Sequence, residues 1–192
     1  MNSHWRRAAG IAASGICLTL LAACASTTVN FSPTAPAPVC DPKAAALVLW
    51  APQWRADQKD VAAREAAASE GIGRFFAESR CFARFEVRRV DGVAAADVAA
   101  VHAAAGGSVD TVVTLAVREL GPVVKLLSSA ALVEGGTEVV LQVTTRVPRA
   151  PAPAREFTAH WRDGGPGVVK GVASLSSDMT AALRASLQPP AP

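Results

Sequence analysis

Cys40-Asp-Pro-Lys-Ala-Ala-Ala-Leu-Val-Leu-Trp-Ala-Pro52 and Cys81-Phe-Ala-Arg-Phe-Glu-Val-Arg-Arg-Val90 flank a segment of helical periodicity, and together they set the fold. The first contains a short apolar run, Ala44 to Ala51, that suits a buried strand and ends at Pro52. Between the two, Asp57 to Ser79 reads as a helix with Val61, Ala68, Ile72, Phe75 and Phe76 inward, weakened in its last third by Gly71 and Gly73. The second alternates, with Ala83, Phe85 and Val87 on one face and Arg84, Glu86 and Arg88 on the other, as a half-buried strand does. Two strands joined by a long helix predict a parallel βαβ unit. Cys40 and Cys81 each precede a strand, so parallel pairing places both at one end of the sheet.

Downstream, Asp91 to Ala105 is an Ala-rich helix closed by Gly106-Gly107, and Thr111 to Leu120 a strand broken by Gly121-Pro122. Val123 to Val133 reads as a weaker apolar stretch interrupted by Ser128-Ser129. Glu134-Gly-Gly-Thr137 has the composition of a hairpin turn, because paired glycines accept positive φ. Glu138 to Val147 alternates clearly, with Val139, Leu141, Val143, Thr145 and Val147 on one face. Pro148 to Ala154 is a loop, and Glu156 to Arg162 a strand with Phe157, Ala159 and Trp161 inward and His160 outward. Asp163 to Gly167 reads as another turn, leading into a short Val168–Lys170 strand. A last helix from about Ser176 to Leu187 buries Met179, Leu183 and Leu187. The order predicts an α/β (α+β) two-layer sandwich: a β-α-β-α start, an antiparallel strand meander, and a C-terminal helix packed on one sheet face, the other face being solvated.

At the N-terminus, Arg6 and Arg7 precede an apolar run from Ile11 to Leu21 that ends Leu21-Ala-Ala-Cys24. A positive region, a short apolar region and small residues before the cleavage point make a secretory signal. The stretch resembles the bacterial lipobox, which implies removal of residues 1–23 and a lipid, with added acyl chains such as palmitate, on Cys24. An uncleaved membrane span is the competing reading, but the run is barely span length and has no basic stop-transfer flank. Several acyl chains anchor a protein stably where one does not. No acidic residue follows Cys24, which leans towards the outer membrane, inner leaflet, facing the periplasm. Residues 24–39, the lipidated cysteine and a Pro/Ser/Thr-rich run, read as a tether; 40–188 as the single domain; 189–192 as a disordered tail.

Removing residues 1–23 takes two arginines and no acid from a chain of 19 basic and 16 acidic residues, leaving the mature protein near neutrality. No clustered basic footprint of a nucleic-acid binder is present, and Arg84, Arg88 and Arg89 read as a solvated strand face. Of the four cysteines, Cys17 leaves with the signal and Cys24 takes lipid. Cys40 and Cys81 remain, and an even pair in an oxidising compartment predicts a disulfide. A metal site would need the paired spacing and nearby histidines that are missing here.

Chemistry-bearing residues are few. The mature chain has no Tyr and only His102, on a helix, and His160, on a polar strand face, both read as ordinary surface residues. No Gly-x-Ser-x-Gly elbow occurs, and Gly71-Ile-Gly-Arg-Phe-Phe lacks the third glycine and the strand-to-helix setting of a dinucleotide loop. Glu65, Glu70 and Glu78 read as a solvated helix face. Trp50 and Trp54 offer a sugar platform in principle, though tryptophans at strand ends pack in the core or its rim more often.

Asp110-Thr-Val-Val-Thr-Leu-Ala-Val, an acidic residue opening a strand after a Gly-Gly turn, is similar to curli-assembly-lipoprotein and TolB N-terminal-like periplasmic lipoprotein domains. Cell-wall-synthase activator lipoproteins share the organisation. The resemblance implies the same kind of fold and carries over no functional residue. The sequence thus reads as a non-enzymatic accessory or interaction subunit with no cofactor or metal, binding an envelope protein partner. A lipid- or small-molecule-binding auxiliary lipoprotein is the second reading, and it needs an apolar cleft between helices and sheet. An enzyme needs His102 or His160 to converge with carboxylates.

Overall fold

The computed structural model of the chain describes residues 25–33, 38–127, 132–148, 150 and 152–188. The expected export signal 1–23, the expected lipid-bearing Cys24, the middle of the expected tether, and the expected tail 189–192 lie outside these residues. The elements, in chain order, are β1 (Ser26–Ser32), β2 (Asp41–Pro52), α1 (Val61–Ser79), β3 (Phe82–Arg89), α2 (Val93–Gly106), β4 (Thr111–Leu127), β5 (Leu132–Arg146), β6 (Arg155–Pro166) and α3 (Leu175–Leu187), the last preceded by a 3-10 turn at Val172–Ser174. They form one six-stranded mixed sheet of order β1-β6-β5-β4-β2-β3.

The βαβ unit is as the sequence predicts. β2 and β3 are parallel, with Asp41 level with Phe82, and the Cys40–Cys81 disulfide ties the two starts together at a Cα separation of 4.5 Å. β2 also pairs in parallel with β4, so it is central and buried on both sides. Ala46, Val48 and Trp50 join the main core, whereas Leu47, Leu49 and Ala51 face a second cluster with Ala96, Ala100 and Ala104 of α2.

The fold is the α+β sandwich that the sequence predicts, with the C-terminal helix packed on the sheet; the second cluster differs only in placing α2 on the face expected to be solvated. Helices α1 and α3 cover one face, and α2 covers the other at the parallel end of the sheet. The handedness of crossovers supplies the reason. The chain moves from β2 outward to β3, then back past β2 to β4. Two right-handed connections running in opposite directions across a sheet must lie on opposite faces. The antiparallel half, β4-β5-β6-β1, keeps its predicted polar face, bearing Gln142, Thr158 and His160.

Residues 26–32, expected in the tether, form an edge strand antiparallel to β6, so the domain begins well before Cys40. Val29 and Phe31 pack on the core, Phe31 edge-on to Phe157 at 5.9 Å. Within the Ser/Thr-rich run, β-branched and aromatic side chains at alternate positions outweigh the polar composition.

Gly106-Gly107 closes α2 as expected, but the other two Gly-Gly pairs read as turns, 135–136 and 164–165, are strand. Gly135 pairs with Gly165 and Gly136 with Gly164 across the β5–β6 ladder. A Cβ on Gly164 would sit 2.5 Å from Gly136 Cα, so these glycines permit a close backbone approach. The Val168–Lys170 stretch is irregular, and the chain turns at Gly167 (φ 74°). Gly121-Pro122 does not end β4 either, which continues to Leu127 opposite β5. Beyond the Val117 level β2 has stopped, and a proline is tolerated on a free edge. On β3, another edge strand, Val87 is half-buried and Phe85 stays 41% exposed, so its expected inward face is only partly covered.

Gly71, which weakens helix propensity, marks the α1–α3 crossing. A Cβ there would lie 2.5 Å from the Ser176 carbonyl oxygen and 2.7 Å from Met179 Cβ, and the Thr180 hydroxyl donates to the Gly71 carbonyl at 3.1 Å. Gly71→Ala is expected to destabilise by about 1–3 kcal/mol through overpacking, read as a lower denaturation midpoint at unchanged slope. Cys40→Ser and Cys81→Ser are expected to lower stability equally, because each opens the same loop of sequence separation 41. The chain-entropy model puts the loss at about 4 kcal/mol; unequal melting temperatures for the two variants would contradict the shared cause.

Candidate functional site

Parallel strands deliver their loops to a common edge, and in α/β sheets the crevice beyond the strands' carboxyl ends is where ligands bind. The chain leaves β2 at Pro52 and is held to β4 by the Gln53 amide, which donates to the Val117 carbonyl at 2.9 Å. A bulge follows in β4 between Val117 and Glu119, turning Arg118 outward. β5 and β6 bring Glu138, Val140 and His160 alongside, and together with Trp54 and Arg55 these residues line an open cleft of about 550 Å³.

Glu119 organises the floor. It accepts from Arg64 Nη1 at 2.9 Å and Gln58 Nε2 at 3.1 Å, and Arg55 Nη2 lies 3.4 Å from its other oxygen. Arg64 is nearly buried and also donates from Nε to the Lys59 carbonyl at 2.8 Å and from Nη1 to the Leu120 carbonyl. This guanidinium clips α1 to the bulged strand, which no sequence motif announces. Arg118 is exposed and makes no ion pair among the described residues. His160 Nε2 is bonded to Glu138 on the cleft's far wall.

The two tryptophans separate. Trp50 is buried in the core, beneath the Arg89 guanidinium at 5.8 Å from the ring centroid, so it offers no platform. Trp54 is half-buried and lines the cleft, its indole N–H donating to Glu65 Oε1 at 3.2 Å. Glu65 also receives Arg89 at 3.0 Å and is partly covered, whereas Glu70, in a surface pair with Arg74, and Glu78 stand on the solvated face the sequence predicts. His102 sits on the exposed side of α2 and is not part of the cleft. The structure therefore does not bring the two histidines together. Asp110, which opens β4, is used structurally: Oδ2 accepts the Ala45 amide at 2.7 Å, and its own amide donates to the Ala45 carbonyl at 2.8 Å. Among the described residues no group of three or more His, Cys, Asp or Glu side chains could hold a metal ion, and no helix is long and apolar enough to cross a membrane.

A second charged cluster lies under α3. The Lys170 ammonium sits between Asp163 and Asp178, 2.7 Å from Asp178 Oδ1, and lies 5.8 Å from the Trp161 ring centroid, while Thr27 donates to Asp163. This cluster pins the irregular Gly167–Gly171 segment to α3, β6 and β1.

The α2 surface is unusual in a different way. Its inner residues Ala96, Ala100 and Ala104 are buried, yet Val98 and Val101 on the outer side are 59% and 51% exposed. Asp97 and His102 are the helix's polar side chains.

No family model matches the chain, and no curated protein matches it in sequence. Its fold is distantly similar to that of the PelC dodecamer from Paraburkholderia phytofirmans, at 14% identity over 86% of this chain and 100% of that one, with a TM-score of 0.45. A variant of that dodecamer in another crystal form gives 13% identity over 85% and 100%, with a TM-score of 0.48. A neuraminyllactose-binding hemagglutinin homolog from Helicobacter pylori gives 10% identity over 77% and 84%, with a TM-score of 0.38. Likenesses this distant transfer nothing about function.

The Lys170 cluster generates a pH dependence. Burial pushes the Asp163 carboxyl up, but the hydrogen bonds from Lys170 and Thr27 and the lysine's charge outweigh it and hold the group below the ordinary range. Burial pulls Lys170 down, and its two carboxylate partners outweigh that and raise it. The carboxylate's contribution is therefore present above about pH 4 and lost as pH falls through the lowered folded value. The lysine's contribution is present below about pH 10 and lost only as pH rises through the raised folded value. Thermal melts should show an acid limb starting below about pH 4 that Asp163→Asn flattens. At neutral pH, Lys170→Met should cost about 1–3 kcal/mol, discounted from a fully buried pair for partial exposure.

Proposed function

We propose that this chain is an exported lipoprotein, anchored through Cys24 to the inner leaflet of the outer membrane, whose periplasmic domain is a non-catalytic accessory subunit of an envelope complex in transport, secretion or cell-wall synthesis. The observation that carries the interaction role is α2. Its inner side is buried alanine, and its outer side presents Val98 and Val101 to solvent with Asp97 and His102 beside them, a mixed apolar and polar patch. A partner packed on α2 completes its burial. The mixed-charge cleft beyond the end of β2 supports recognition rather than chemistry: Glu119 is neutralised by arginine, and the His160–Glu138 pair stands at an open surface.

The cleft also favours a second reading, a small polar ligand bound by Trp54 and Arg118. An aromatic face beside an unengaged guanidinium suits a sugar or an anionic group. Lipid carriage between helices and sheet has less support. Among the described residues that space is filled, with Ile72, Phe75, Phe76, Met179, Leu183 and Leu187 all at 0–1% exposure.

A photo-crosslinking residue at Val101, with one at exposed Arg184 on α3 as control, tests the interaction role in intact cells. The expected result is a discrete adduct from Val101 with one envelope protein, absent from Arg184 and abolished by Val98→Glu. Identical background from both positions would contradict it. Intact mass of the membrane-extracted protein reports separately whether it begins at a lipid-modified Cys24.

A further inference from the structure

The sheet register fixes where an anchor at Cys24 must leave the domain. Ser26, the first residue of β1, is level with Gly164 of β6. Gly164 is level with Gly136 of β5, and Gly136 with Val123 of β4. The strands alternate in direction, so the chain before Ser26 heads the same way as Gly165, Gly135 and Val124. Three strand spacings separate Ser26 from Val123, about 15 Å. Cys24 is two residues before Ser26, so its Cα lies within about 7 Å of it.

At this end of the sheet two apolar side chains stand open to solvent, beside the paired charges of Glu134 and Arg162. Val124 is 66% exposed and Val169 89%, the highest values among the exposed large hydrophobic residues. The two are neighbours. Val124 pairs with Gly135, and the backbone of Val168 and Val169 packs against Gly135, whose missing Cβ would otherwise meet the Val168 carbonyl oxygen at 2.1 Å. The β4–β5 ladder continues past the last β6 rung, Glu134–Pro166, through the rungs Leu126–Val133 and Leu127–Leu132. The hairpin thus projects by about 7 Å at the end from which the anchor departs.

We propose that this end, with Val124 and Val169 at its surface, is a second membrane contact that rests in the headgroup and acyl boundary of the leaflet holding the lipid. The inference rests on the lipidation of Cys24 proposed above. The occupant is argued from geometry. With Ser26 already in the sheet, no tether separates the anchor from the domain, so this end stands against the bilayer whenever the acyl chains are inserted. Exposed apolar side chains there gain from burial in lipid, and the acyl chains remove the cost of bringing them to the surface. The opposite end of the antiparallel half, near Glu156 and Ser32, then points into the periplasm.

The test uses the mature lipidated protein in vesicles of phosphatidylethanolamine and phosphatidylglycerol. An environment-sensitive fluorophore is attached through Val124→Cys, Val169→Cys or, as control, Glu156→Cys. The first two are expected to shift their emission to the blue on vesicles and to lose at least threefold in quenching by iodide, with Glu156→Cys unchanged. Protein that floats with vesicles while Val124 and Val169 stay as open to iodide as Glu156 overturns this contact and leaves the anchor standing. Protein that lacks lipid at Cys24 and does not float overturns both.

Discussion

The fold depends on β2 being buried on both faces. A strand paired on both edges and covered on both sides has no polar exposure, which is why Ala45 to Ala51 is uninterrupted by any polar side chain. That requirement brings one helix to each face and a parallel strand to each edge. The disulfide fixes one of those strands at its start, and the Asp110 clamp on Ala45 fixes the other. Everything beyond β4 is an antiparallel extension that needs cover on one face only, supplied by α3 and part of α1.

Closing the core this way leaves three distinct surfaces: the polar sheet face with its charged cleft, the outer side of α2, and the sheet end beside Ser26 where Val124 and Val169 are exposed. Each is a consequence of where cover stops. α2 covers the parallel strands, so β5 and β6 carry hydrophilic residues on the same side. Helix α2 has no layer outside it among the described residues, so Val98 and Val101 stay open beside Asp97 and His102. β4 and β5 outlast their neighbours, so their ends project. A protein with a lipid at one end and a protein-binding helix on one face would present that helix at a fixed height and orientation above the membrane, which suits an accessory subunit.

Most elements were legible in the sequence because they rest on local periodicity. α1, α3, β2, β6 and the inner face of β5 follow from it directly, and the cysteine pair supports the parallel start. The failures share one cause. Gly135-Gly136 and Gly164-Gly165 carry turn chemistry, and only knowledge that they face each other shows them to be strand. Pro122 stops a central strand but not an edge, and edge status depends on where β2 ends. The 26–32 strand has the composition of a linker and is ordered by β6, distant in sequence. Arg64 and Glu119 escaped because a buried guanidinium on an alanine-rich helix has no signature until the bulged strand is set against it. The layer holding α2 follows from strand order, which periodicity does not contain.

The central claim is that the folded domain includes Ser26 onward, since both the placement of the proposed anchor and the proposed orientation of α2 follow from it. Amide hydrogen exchange of residues 26–32 tests it most directly. The account predicts that the β1 amides turned towards β6 exchange within about tenfold of the β6 amides, as one cooperative unit. Complete exchange of the whole segment at the earliest time point would make it a tether and contradict the account.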